Sequence, residues 1–111
     1  MSKRVLAKIR KLWPEEDARK ILEQLNQYGQ KSYETGQERV QLGILKLSGG
    51  DLEQLPELIK MARVDFRDVL AYAEYPEEMK TKPIKMRDMP KEQAGEIRSR
   101  DKEQYDKWLK E

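Results

Sequence analysis

Apolar positions recur along the chain from Lys3 to Tyr75 at helical spacing, and no segment alternates with period two. Val5, Leu6, Ile9, Leu12 and Trp13 form one helical face. Pro14 followed by Glu15, Glu16 and Asp17 marks a second start, because proline suits a first turn and the acids complement the positive end of the helix dipole. That helix carries Ala18, Ile21, Leu22, Leu25 and Tyr28, with Gly29 suited to closing it. From about Thr35 a third helix presents Val40, Ile44 and Leu47, with Leu42 and Leu45 beside them, a wide apolar surface that predicts a central position. Ser48, Gly49 and Gly50 end it.

Asp51 suits the cap of a fourth helix, but Pro56 is too deep for a clean first turn, so a preliminary turn is expected over Asp51 to Gln54. Leu55, Leu58, Ile59 and Ala62 then face inward. Asp65, with Asp68 three residues on, resembles a cap for a fifth helix bearing Phe66, Val69, Leu70 and Ala73, which Pro76 stops. The expected fold is all-α, a compact bundle of about five short helices over residues 1–76.

Residues 77–111 read as a charged, partly disordered extension. Lys80 to Pro90 is expected to be extended or disordered. Beyond it, Ala94, Ile97, Tyr105 and Trp108 make a narrow helical stripe interrupted by Asp101, a candidate additional helix over 92–109 that is too thin to fold alone. Trp13-Pro14-Glu15-Glu16 is echoed by Tyr75-Pro76-Glu77-Glu78, and Leu22 to Leu25 by Leu52 to Leu55, at offsets that share no period; both read as reused helix-start chemistry.

The chemistry open to the chain is narrowed by having neither histidine nor cysteine in 111 residues. Zinc, haem and iron–sulfur sites lose their usual ligands, and no EF-hand or phosphate-binding loop is present, so no cofactor and no metal are expected. Serines 2, 32 and 48 each adjoin a helix end, where capping explains them. Glu34 and Glu38 on one helix, with Tyr33, Tyr72 and Glu74 as neighbours, are the remaining acid/base set; carboxylates four apart are commonplace when 40% of residues are charged, and the chain is read as no enzyme. Lys+Arg 23 against Asp+Glu 21 leave a net charge of +2, which singles out no partner. With no long apolar run, neither a membrane span nor a secretory signal is expected, and the expected location is cytoplasmic.

Three binding patterns remain. Leu58, Ile59 and Ala62, then Val64 as a buried turn residue, Asp65 and Val69, match the spacing of a helix-turn-helix. Arg63 stands where that turn usually has glycine, and Asp65, Asp68 and Glu74 against Arg67 would repel phosphate, so the helix pair is retained and DNA binding through it largely set aside. Positive charge gathers in Lys3, Arg4, Lys8, Arg10 and Lys11, and again from Lys80 through Lys82 and Lys85 to Lys91, as a basic surface for nucleic acid. Aromatic residues, namely Tyr28, Tyr33, Tyr72, Tyr75, Trp13 and Trp108, supply the third pattern; of these Tyr72 and Tyr75, with Met79, Met86 and Met89, are the candidate protein-recognition surface.

Trp13-Pro14-Glu15-Glu16, Val40 to Leu47 and Arg67 to Pro76 resemble segments of small uncharacterised bacterial proteins predicted to be all-helical, a likeness covering roughly residues 8–78. It implies an all-helical fold and a prokaryotic cytoplasmic setting, and supplies neither an activity nor a functional residue. The resulting expectation is a non-enzymatic protein-interaction module whose partner is another protein or a second copy, with an apolar helical surface and a charged tail. The alternative is a nucleic-acid binder using the two basic segments.

Overall fold

The computed structural model describes residues 3–31, 34, 36–82 and 84–111. Among them are seven α-helices, two 3₁₀ turns and no strand. The chain divides into two compact units, Met1–Leu70 and Ala71–Glu111.

The first unit holds α1 (Lys3–Leu12), α2 (Glu15–Leu25), α3 (Gln37–Ser48), a 3₁₀ turn (Leu52–Gln54) and α4 (Leu55–Val64); α5 (Phe66–Glu74) begins in it and ends in the second. α1 packs on α2 and α3, and α4 packs on the same two helices, closing a ring of four. α3 is the most enclosed, burying Val40, Gln41, Leu42, Gly43, Ile44, Leu45 and Ser48, which is what its wide apolar surface requires. A fully enclosed side chain such as Ile44 contributes about 1.5–3 kcal/mol by leaving water.

The helix boundaries follow the local chemistry. Glu15, Glu16 and Asp17 occupy the first turn of α2, with Pro14 at its cap rather than inside the turn. α3 starts at Gln37; Thr35 lies outside the described residues, as do Ser2, Ser32 and Tyr33. Asp51 accepts a hydrogen bond from the Glu53 N–H (3.0 Å) and opens the 3₁₀ turn, after which Pro56 sits in the first turn of α4. A single extended residue, Asp65, separates α4 from α5, and its Oδ1 accepts from the Arg67 N–H at 3.0 Å.

The second unit departs from the expected tail. Pro76 does not simply stop a helix; it starts α6 (Pro76–Lys80), so the echo of Trp13-Pro14-Glu15-Glu16 is a second helix start. A 3₁₀ turn spans Met86–Asp88, and α7 (Lys91–Lys110) extends one residue beyond each end of the expected helix, giving seven α-helices where about five were anticipated. The thin stripe suffices because it has a partner inside its own unit. Ala94 and Ile97 bury against Met86, with Met89 packed on the cluster, and α7 lies along α6. Asp101, the apparent interruption, belongs to the buried face: Ala94, Ile97, Asp101, Gln104 and Trp108 recur at alternating three- and four-residue steps.

Candidate functional site

Four large apolar side chains are markedly exposed among the described residues: Val64 (81%), Ile84 (58%), Tyr72 (50%) and Tyr75 (42%). Three of them fall between positions 72 and 84. That segment borders a groove of about 560 Å³ lined by Ala71, Met79, Ile84 and Met86, with Glu78, Thr81, Lys82 and Lys85 adding its polar contacts. The volume lies within the roughly 300–1,000 Å³ of binding clefts.

Its walls are held by the way the chain turns. Tyr75 N–H donates to Ala71 O (3.0 Å), and Met79 N–H donates to Tyr75 O (3.0 Å), so Ala71, Tyr75 and Met79 succeed one another a turn apart across the α5–α6 junction. Thr81 Oγ1 lies 2.7 Å from Glu78 O and 3.2 Å from Ile84 O, and Ile84 N–H donates back to Thr81 O (3.0 Å). This closed turn holds Ile84 outward. Met86 is anchored from behind by Ala94 and Ile97, so α7 backs one wall.

The start of α6 is fixed by a side chain from α7. Asp101 is buried, and its Oδ1 and Oδ2 accept from the backbone N–H groups of Glu77 (2.8 Å) and Glu78 (3.1 Å). Tyr75, at the cap position, provides no side-chain bond. Gln104 Nε2 donates to Asp101 O (2.8 Å) and reaches Glu74 O at 3.4 Å, where α5 ends.

Of the residues expected at a recognition surface, Tyr72 and Tyr75 are exposed, Met79 and Met86 line the groove, and Met89 packs behind it. Ala71 and Ile84 escaped sequence reading, as did the contribution of Lys82 and Lys85 to an apolar groove. A lone isoleucine among lysines carries no periodic signal. Trp13 and Tyr28 are buried, and Trp108 stacks on Tyr105 with ring centroids 5.9 Å apart, so these aromatics seal helices rather than extend a patch.

The basic segments are less uniform than their sequence. Lys8 is buried; Arg4 pairs with Glu38 (3.2 Å) and Lys80 with Glu77 (3.4 Å), while Lys3, Arg10, Lys11, Lys82 and Lys85 are exposed. The helix-turn-helix expectation is corrected by its turn. Val64 is exposed rather than buried, Arg63 stays within α4, and no described residue other than glycine has positive φ. One capped residue leaves no room for a three- or four-residue turn.

Glu34 and Glu38 do not share a helix. Glu34 precedes α3, where its buried Oε1 accepts from the N–H groups of Gly29, Gln30 and Lys31 (each 3.1 Å) and Oε2 from Arg63 Nε (3.3 Å). Burial works to raise its pKa, but the backbone N–H groups of Lys31 and Gly29, with Arg63, outweigh this and hold it below the ordinary 4.5. Glu34 is thus a structural carboxylate that gathers the backbone N–H groups of Gly29, Gln30 and Lys31 around itself. The cleft beside it, about 350 Å³, also bears Arg63 and Arg67, but Glu34 and Asp65 already pair with them. Among the described residues no group of three or more acidic side chains could hold a metal ion, and no helix is long and apolar enough to cross a membrane. Comparison with protein-family models, curated proteins and solved structures finds no match to this chain.

Proposed function

We propose that this chain is a non-enzymatic protein-interaction module of the cytoplasm that receives a partner in the groove bordered by residues 71–86. The observation that carries the reading is a groove whose apolar lining is Ala71, Met79, Ile84 and Met86, in a segment that also exposes Tyr72 and Tyr75. Solvent-exposed apolar residues occur singly on any surface; apolar side chains gathered along a concavity, as Ala71, Met79, Ile84 and Met86 are, are what binding surfaces present. Methionine walls suit this role, since an unbranched thioether adapts to different apolar anchors. The use of Glu34 as an internal ligand for backbone N–H groups, and of Glu38 as an ion-pair partner, also supports a non-catalytic reading.

The test is affinity capture by the full chain, after nuclease treatment and at high salt, beside the variants Ile84→Glu and Tyr75→Ala. Both side chains are exposed, so the helical circular-dichroism signal should persist while bound proteins are lost from both variants. An identical set of proteins on wild type and both variants would remove this surface from consideration.

A further inference from the structure

We infer that the occupant of this groove is an amphipathic helix of another protein that carries carboxylates beside its apolar anchors. The inference rests on the reading of residues 71–86 as an interaction surface and adds the partner's chemistry. Lys82 and Lys85 line the groove and are exposed; among the described residues neither is paired with a carboxylate. Arg87 and Lys91 continue the exposed positive charge along the chain, and Asp88 is the sole acid between Lys80 and Lys91. Among the described residues lining the groove, Glu78 is the only acidic one, against two lysines. An acidic partner gains attraction on approach and at the rim, whereas a basic one meets like charge.

The lining selects a helix over other peptide shapes. Adding a strand needs an exposed sheet edge, and the described residues contain no strand. Polyproline segments dock on aromatic-lined grooves, but here the apolar part of the lining is alanine, isoleucine and two methionines, with no aromatic ring among the described lining residues. Apolar anchors at i, i+3 or i+4, and i+7 match an adaptable aliphatic groove. A second copy is a poor occupant: the acid-led helix α2 already buries Ala18, Ile21 and Leu25 in its own unit. A flat anionic bilayer cannot fill a concavity whose lining includes the buried Met86.

The experiment is selection of a phage-displayed random peptide library on the full chain, with counter-selection on Ile84→Glu. The expected winners have apolar residues at helical spacing and an excess of Asp and Glu. A synthetic copy of a winner, measured by fluorescence anisotropy, should lose about tenfold or more in affinity to the Lys82→Glu/Lys85→Glu double variant, and should bind wild type more weakly as salt rises. Winners that are neutral or basic but still require Ile84 would overturn the acidic partner and leave the interaction surface standing. Absence of any peptide that discriminates Ile84→Glu would overturn both. Sedimentation with phosphatidylserine vesicles, or concentration-dependent dimerisation, abolished by Ile84→Glu would reassign the groove to lipid or to a second copy and overturn the inference.

Discussion

Asp101 and Glu77 are 24 positions apart, yet the carboxylate Oδ1 of the first accepts the backbone N–H of the second at 2.8 Å. A helix opens with N–H groups that have no partner within it, and a neighbouring side chain is the usual remedy. Here the remedy comes from another helix. Capping and docking are therefore one interaction: α6 is completed by α7, and the groove wall carrying Met79 is completed with it.

Replacing Asp101 by alanine should destabilise the second unit by about 1–2 kcal/mol, the range for losing an N-cap or leaving buried donors unmet. Amide exchange at Glu77 and Glu78 should accelerate markedly, with Asp101→Asn falling between, because its one amide oxygen can still accept. Unchanged exchange at both amides in Asp101→Ala would show that the cap does not hold α6.

The same device operates at a C-terminus in the first unit. Gln41, buried in α3, donates from Nε2 to Leu25 O (3.0 Å) at the end of α2. Leu25 O also accepts from Tyr28 N–H (3.1 Å), so Gln41→Met, similar in volume, should cost only about 1 kcal/mol. Denaturant midpoints at unchanged m-value would measure it, and a cost of several kcal/mol would mean that Gln41 holds more than this carbonyl.

These bonds also explain what sequence could and could not convey. Apolar periodicity placed α1 to α5, and Asp51 and Asp65 announced their turns, because those signals act within a few residues. Asp101, Gln41 and Glu34 act at long range or through folded loops, and a buried polar side chain on a charged chain looks like any solvated one. Asp101 in particular reads as a flaw in the stripe of α7 until the N-terminus of α6 stands opposite it. The groove shares this character: Met79 and Met86 stood out by type and proximity, whereas Ile84 enters through a turn closed by Thr81.

Gly29 offers a test of the loop between α2 and α3. Its φ is +102°, and a Cβ there would lie 2.8 Å from the side chain of Gln37. Gly36 also has positive φ (61°), but a Cβ would meet nothing within 4 Å. Alanine at Gly36 should therefore cost about 1 kcal/mol of backbone strain, and alanine at Gly29 that amount and more, about 2 kcal/mol, since Gln37 must also move. Equal losses of thermal stability in the two variants would contradict the close approach at Gly29.

Glu34 makes the first unit sensitive to acid. Its pKa is lowered in the folded state, so the unfolded chain takes up the proton first as pH falls. The stabilisation is complete above the ordinary value of 4.5 and is lost progressively as pH drops from there through the folded value. Asp65 adds in the same direction from 3.8, chiefly through its hydrogen bond with the Arg67 side chain. Glu34→Gln keeps an oxygen for the backbone N–H groups of residues 29–31 but removes the charge facing Arg63. It should lower the melting temperature at pH 7, and the gap from wild type should narrow steadily as pH falls below 4.5 through the lowered folded-state value. Thermal melts across that interval decide the matter: a gap that stays constant with pH would mean that the ionised Glu34 carboxylate is not what holds the loop.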